Sequence, residues 1–175
     1  MQSVVDLPSC WRWSSRVTPA DLPQLLQREW LETNGLGGFA SSTVCGATTR
    51  RYHAVLIAAT NPPVGRMALV SKLEETLIAY SDRAELSTNL FHSGVVHPSG
   101  YLHIESFDPT PAPTWTFRTS QAKLHKTVAM IEERNLTVVR YMLAPDWKPA
   151  ELEVRVLLSG RDYHSVMRAS DRGLA

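Results

Sequence analysis

A glycine-rich segment is the part of the chain that comes nearest to a known ligand-binding motif. Residues 35–40 read Gly-Leu-Gly-Gly-Phe-Ala and fit the pattern G-x-G-x-x-G/A of dinucleotide-binding loops. That pattern holds a pyrophosphate where a helix N-terminus follows it, but residues 41–49 are typical of a strand. No acidic residue lies about 20 positions further on to hold a ribose. The segment therefore predicts a tight turn whose glycines adopt positive φ, which leaves the clustering of Asn34 with three glycines beside Trp30 unexplained.

Two clusters of charged residues flank apolar, strand-like runs. Arg50, Arg51 and His53 precede one run, and two interpretations are open: an arginine fork for a carboxylate or sugar hydroxyls, or a charged edge before a buried strand. Because neighbouring residues of a strand point to opposite faces, at most one of the two arginines could face a given pocket. The segment 161–164, Arg-Asp-Tyr-His, follows another run, and there a buried polar network and a binding site both fit the pattern.

The acidic residues do not form the arrangement that hydrolysis of a glycosidic bond requires. That reaction uses one protonated and one ionised carboxyl group, held at a defined separation across the bond. Glu74 and Glu75 are adjacent, so in an extended chain they point in opposite directions, and we expect both to be solvated. The six histidines and the two cysteines, Cys10 and Cys45, lack metal-ligand spacing. The sequence therefore predicts no catalytic residue, no metal site and no cofactor.

Composition indicates a soluble globular protein. Apolar residues make up 43% of the 175 residues, and 18 Lys and Arg against 17 Asp and Glu give a net charge of +1. This balance argues against a disordered chain. It also argues against a nucleic-acid partner, because a domain that binds nucleic acid carries a large excess of basic residues. No apolar run approaches the roughly 18 residues of a membrane-spanning helix, and residues 1–6 do not resemble a signal peptide. We therefore expect a cytoplasmic protein with no membrane partner.

The elements that must position these residues are strands. Strand-like segments occupy 52–59, 67–72, 76–80, 101–107, 115–118, 122–131, 136–144 and 151–158. The last three are predicted to form a meander in which each strand pairs with the next. One short helix is expected over 22–27, capped by Asp21. Many short strands with regular turns predict an all-β fold, an antiparallel β-sandwich or a barrel. The patterned segment 161–168 near the end of the sequence suggests that the sandwich is incomplete at the C-terminus.

Several blocks of residues, taken together and in order, carry a resemblance to a known family. The blocks are 29–41, 49–53, 61–66, 69–76, 97–101, 105–107, 113–115, 140–141 and 157–164. Over about residues 28–168 the chain resembles the N-terminal domain of bacterial and archaeal glycogen debranching enzymes, the amylo-α-1,6-glucosidases.

The resemblance implies a β-supersandwich placed ahead of a helical (α/α)6 barrel in the full enzyme, which acts on α-1,6 branch points of glycogen or a related α-glucan. It places the general acid and base in the barrel, which this sequence lacks, so no catalytic residue is carried over. The partners implied are α-glucan and the catalytic barrel. We expect the following residues to form the substrate rim or the domain interface: Asn34, Gly35, Gly37, Gly38, Arg50, Arg51, His53, Lys72, Arg161, Asp162 and His164.

Two other hypotheses remain open at this point. The chain could be a stand-alone carbohydrate-binding module in which Trp11, Trp13 or Trp147 stacks on glucosyl rings. It could also be an inactive truncated fragment. An incomplete sandwich leaves an unpaired sheet edge or an exposed apolar face, so we also expect self-association.

Overall fold

The computed structural model describes residues 13, 15–62, 64–145, 147 and 149–166. One short helix, α1 (Leu22–Gln27), precedes a series of antiparallel strands, and short 3₁₀ turns cover Pro19–Asp21 and Gly100–His103. The strands are β1 (Glu29–Thr33), β2 (Phe39–Thr43), β3 (Ala54–Asn61), β4 (Gly65–Ala79), β5 (Asp82–Glu85), β6 (Thr88–Leu90), β7 (Val96–Ser99), β8 (Ile104–Asp108), β9 (Thr114–Arg118), β10 (Lys123–Met130), β11 (Thr137–Leu143) and β12 (Glu151–Asp162). Cys10 and Trp11 lie outside the described residues.

The strands form two main sheets and a small hairpin. The larger sheet has the order β1-β2-β3-β4-β12, with β5 also paired to β4. The second sheet has the order β11-β10-β9-β8, and β6 pairs with β7. Every pairing is antiparallel. This confirms the predicted all-β sandwich.

Strand β4 organises the larger sheet because it is long enough to take different partners along its length. Its first half pairs with β3, and its last residues pair with β5, from Thr76 opposite Glu85 to Ala79 opposite Asp82. Strand β12 runs along its other edge, with register irregularities at Leu157 and Leu158. Strand β12 is thus an outer strand of the described sheet.

The core lies between the two main sheets. Trp30 and Leu77 of the larger sheet pack in one apolar cluster with Trp115 and Leu124 of the second sheet. The rings of Trp30 and Trp115 meet edge to face with centroids 5.5 Å apart, and Trp115 Nε1 donates a hydrogen bond to the carbonyl of Val44 at 2.8 Å. Both tryptophans are therefore core residues.

Two predictions about the elements need correction, and one is confirmed. The separate strands predicted at 67–72 and 76–80 are one continuous strand, β4. The predicted meander stops at β11, because β12 crosses to the larger sheet and pairs with β4. Helix α1 is present with Asp21 at its N-cap, although that carboxylate accepts hydrogen bonds from Thr18. None of the described helices is long and apolar enough to cross a membrane.

Candidate functional site

A groove at the end of β12 brings together four of the residues expected at the rim or interface. Arg50, Arg51, His53 and Arg161 line this open cavity, which has a volume of about 600 Å³. The uncharged residues of the wall comprise four with hydroxyl groups and two apolar ones: Thr48, Thr49, Ser71, Ser159, Leu158 and Val166. No carboxylate belongs to the described wall. We call this feature the arginine groove.

One side of the arginine groove is built by the turn that precedes β3. The amide of His53 donates to the carbonyl of Arg50 at 3.0 Å, so both arginines lie in a turn instead of the strand expected from the sequence. Because they lie in a turn, both line the groove, and the expectation that at most one of them could face a given pocket is wrong. Arg50 Nε lies 2.6 Å from Glu29 Oε1, while its side chain remains 65% exposed. The carboxylate partner predicted for an arginine fork is therefore supplied by the chain itself.

His53 is buried behind this ion pair. Its Nδ1 accepts a hydrogen bond from the amide of Thr49 at 3.1 Å, and its Nε2 lies 3.3 Å from Glu29 Oε1. Burial lowers the pKa of His53, although the neighbouring carboxylate acts in the opposite direction. His53 is thus neutral near pH 7 and fixes the turn that carries the two arginines.

The other side of the groove is closed by hydrogen bonds from guanidinium groups to backbone carbonyls. Arg161 donates to the carbonyls of Arg51 and Ser165, at 2.5 Å and 2.7 Å. Arg51 donates to the carbonyl of His164 at 2.9 Å, and the amide of His164 donates to Asp162 Oδ1 at 2.8 Å. Segment 161–164 thus forms a hydrogen-bonded network, but its contacts are exposed and not buried as one of the two alternatives expected, and they tie the segment to the turn before β3.

Aromatic rings continue the surface from the groove toward the glycine loop. The rings of Tyr163 and His164 have centroids 3.9 Å apart, and Tyr52 lies 5.7 Å from Tyr163. Arg66 donates to the Tyr163 hydroxyl at 3.0 Å and to the carbonyl of Gly37. Sequence reasoning did not single out Tyr52 or Arg66 as candidates, and it considered Tyr163 only as part of segment 161–164. All three belong to the blocks that carry the family resemblance, which was the signal available for them.

The glycine loop itself is a turn held by a buried asparagine. Asn34 is fully buried, and its Oδ1 accepts hydrogen bonds from the amides of Leu36 and Gly38 at 3.0 Å and 2.9 Å. Its Nδ2 donates to the turn between β10 and β11, at Arg134 O and Asn135 Oδ1.

Two glycines of this loop need their conformational freedom. Gly35 and Gly37 have φ of +75° and +92°, which confirms the predicted turn, and strand β2 follows instead of a helix. The clustering of Asn34 with glycines thus serves local structure, and it lies apart from the arginine groove.

Lys72 also lies away from the groove, at an interior cavity of about 60 Å³ shared with Cys45, Glu75 and Lys126. Its amine donates to the carbonyl of Thr88 and to Asn89 Oδ1. Burial lowers the pKa of Lys72 to about 8. Burial likewise raises the pKa of the Cys45 thiol.

The expectation that Glu74 and Glu75 are both solvated is wrong for Glu75. Its side chain is 5% exposed and accepts hydrogen bonds from Lys126 and, at 2.7 Å, from the hydroxyl of Tyr141. Burial and this carboxylate raise the pKa of Tyr141. Glu74 points to the opposite face, as expected, where it contacts Asn89 and Arg155.

The arginine groove is lined by side chains of types that can bind polar ligands. Guanidinium groups and hydroxyls bind sugar hydroxyls or carboxylates, and the adjoining rings of Tyr52 and Tyr163 add apolar faces. Glu29 beside the groove and Glu75 in the interior are each paired with a basic side chain. Among the described residues, no three side chains of the metal-ligating types come together.

A family model described as the N-terminal domain of glycogen debranching enzyme matches residues 28–173, which is most of the chain. No curated protein and no solved structure matches it. The β-sandwich described above fits the fold that the sequence blocks implied. The chain belongs to the family of glycogen debranching enzyme N-terminal domains.

Proposed function

We propose that this chain is the non-catalytic domain of an amylo-α-1,6-glucosidase that acts in the cytoplasm on α-1,6 branch points of glycogen. In this role it packs on the catalytic barrel and shapes substrate binding. The observation that carries the proposal is the family match over residues 28–173. The match concerns a domain of a debranching enzyme, and the reaction is assigned to the barrel.

The ion pairs of the chain support a non-catalytic role. Hydrolysis of a glycosidic bond needs two carboxyl groups, one protonated and one ionised, on either side of the bond. Glu29 is held by Arg50, Glu75 by Lys126, and Glu105 by Lys123 and Arg118. These contacts lower the pKa of Glu105, which favours the ionised form and is unsuited to a general acid.

We propose the arginine groove as the surface through which the domain contacts α-glucan or the barrel. Arg50 keeps 65% of its side chain exposed while bound to Glu29, so its guanidinium has donors left for a ligand. Leu158 and Val166 on the same wall are 71% and 63% exposed. Arginine beside exposed apolar side chains is a composition typical of binding surfaces.

The test is glucose release from a branched limit dextrin. We expect no release by the purified chain, and release when the catalytic barrel of a debranching enzyme of this family is supplied as a separate chain. The double variant Arg50→Ala/Arg51→Ala should lower the kcat/KM of that mixture several-fold, whereas Arg140→Ala, an exposed arginine of β11, should not change it. Turnover by the purified chain, abolished by one point mutation within it, would contradict the proposal.

A stand-alone carbohydrate-binding module is a second candidate, favoured by the rings of Tyr52, Tyr163 and His164 beside the groove. Aromatic faces of this kind can stack on glucosyl rings. The two functions differ in whether sugar binding requires the catalytic barrel. A module binds maltooligosaccharide without the barrel, with an affinity that the substitution Tyr52→Ala lowers, whereas an accessory domain binds sugar only in the assembled enzyme. Calorimetric titration of the purified chain separates them.

A further inference from the structure

The outer edge of the larger sheet carries apolar side chains that the described fold leaves exposed. Among the described strands, β12 pairs with β4 alone. Val154 lies opposite Glu75, whose carboxylate contacts Lys126 of the second sheet, so this face of β12 is turned inward. Even so, Val154 and Val156 are 41% and 51% exposed. A strand edge with free backbone groups and apolar side chains is a template for another strand.

The opposite face of the same segment carries charges of alternating sign. Glu153 and Arg155 both point outward, two residues apart. Within the chain Glu153 is bound to Arg83 at 2.7 Å, and Arg155 lies 3.2 Å from Glu74. The edge therefore presents one anchored acid and one anchored base to whatever strand lies beside it.

We propose that β12 pairs with the β12 of a second copy of this chain, antiparallel, about a two-fold axis at Val154. In this register Glu153 lies opposite the partner's Arg155, and the symmetry repeats the pair. Leu152 lies opposite the partner's Val156, and Val154 lies opposite the same residue of the partner. Each outer face then carries a row of alternating charge: Arg83, Glu153, the partner's Arg155 and the partner's Glu74.

Charge selects both the occupant and the register. Moving the axis by one residue, to Glu153 or to Arg155, places like charges directly opposite each other, which destabilises a strand pair. Sliding one strand along the other by a single residue moves the axis to a point between two residues. It would place inward side chains opposite outward ones, which the pleat does not allow. The pairing covers residues 151–157 and leaves the arginine groove open. This inference is independent of the proposed function.

Two charge reversals test the proposal by sedimentation equilibrium of the full chain. A strand pair of this length is a small interface, so we expect a concentration-dependent equilibrium between monomer and dimer. Glu153→Arg and Arg155→Glu each place like charges opposite each other twice. Each variant should therefore raise the dimer dissociation constant at least about tenfold. An equimolar mixture of the two variants restores opposite charges at both positions, and association should return to the wild-type level. Arg140→Glu on β11 is the matched control.

Thiol cross-linking provides a second measurement of the register. With Cys10 replaced by serine and Cys45 buried, Val154→Cys should be joined to itself by a short bismaleimide. Val138→Cys, equally exposed on β11, should give little product. The proposal is overturned if the wild-type chain is monomeric at every concentration, if the variant mixture fails to associate, or if both cysteine variants cross-link equally.

Discussion

Asn34 is fully buried, and its side chain holds the glycine loop through four hydrogen bonds. Its amide group holds two backbone N–H groups of its own loop and reaches the turn between β10 and β11. We expect Asn34→Ala to lower the free energy of unfolding by about 3 kcal/mol, because it leaves buried donors and acceptors without partners. Urea denaturation measures this change.

Gly35 provides the control for that experiment. Its φ is +75°, but a β-carbon there would meet nothing within 4 Å. Gly35→Ala should therefore cost about 1 kcal/mol, the strain of the left-handed conformation without a steric clash. Equal losses for Asn34→Ala and Gly35→Ala would show that loop geometry, and not the hydrogen-bond network, determines the stability here.

Lys72 should make the stability of the protein depend on alkaline pH. Burial lowers its pKa to about 8, from 10.5 in an exposed lysine. Between these values the unfolded chain binds a proton that the folded chain has released, so the contribution of Lys72 to the free energy of unfolding rises with pH over that range. Below pH 8 the amine is charged in both states and the burial penalty is fully present.

Comparison of the wild type with Lys72→Met isolates this effect, because the other titrating groups are common to both chains. The difference between their free energies of unfolding, measured with urea from pH 7 to pH 10.5, should shift in favour of the wild type as the pH rises. A difference that stays constant over this range would contradict the pKa assigned to Lys72.

The conformation or burial of some residues can be predicted from the neighbouring sequence, whereas that of others depends on distant contacts. The turn at Gly35 and Gly37 follows from local sequence because positive φ is a property of the residue itself. The burial of Glu75 could not be predicted in this way. Its partners, Lys126 and Tyr141, lie 51 and 66 positions away in the sequence, and only the packing of the two sheets brings them together.

At the scale of elements, this same cluster joins the two main sheets: Glu75 lies on β4, Lys126 on β10 and Tyr141 on β11. Glu75→Ala should destabilise the protein by about 3–5 kcal/mol, because it leaves the ammonium of Lys126 buried without a counter-charge. The triple variant Glu75→Leu/Lys126→Met/Tyr141→Phe should recover most of that loss, since it removes every member of the cluster together.

Thermal unfolding of the two variants measures both changes. If the triple variant is as unstable as Glu75→Ala, then the shape of the cavity matters more than the ion pair.

Strands were predictable from the sequence to the extent that one face of each is buried. The segments predicted at 122–131 and 136–144, the second from its β-branched and aromatic residues, match β10 and β11, and their pairing followed from the short turn between them. The partner of β12 was not predictable by the same reasoning. The turn before β12 favours pairing with β11, whereas β12 matches the long unpaired edge of β4, which is far away in the sequence.

For the whole molecule, β12 connects two surfaces of different character. Its first half carries Glu153 and Arg155 beside exposed valines, and its last part carries Leu158 and Arg161 into the arginine groove. The irregular register at Leu157 and Leu158 separates the two parts. A bulge changes the direction of side chains and increases local twist, so one strand can present one part to a second strand and another to a different ligand.

The placement of the tryptophans leads to a prediction that separates sugar binding in the arginine groove from stacking on a tryptophan. Trp30 and Trp115 are 7% and 4% exposed, and the guanidinium of Arg118 lies over the ring of Trp147 at 5.5 Å. A glucosyl ring that binds in the arginine groove contacts none of these three indoles, because none of them belongs to the groove wall. Titration with maltooligosaccharide up to millimolar concentration should therefore leave the tryptophan fluorescence of the chain unchanged. Saturable quenching that Trp147→Ala or Trp11→Ala abolishes would instead support a stand-alone module with a stacking tryptophan.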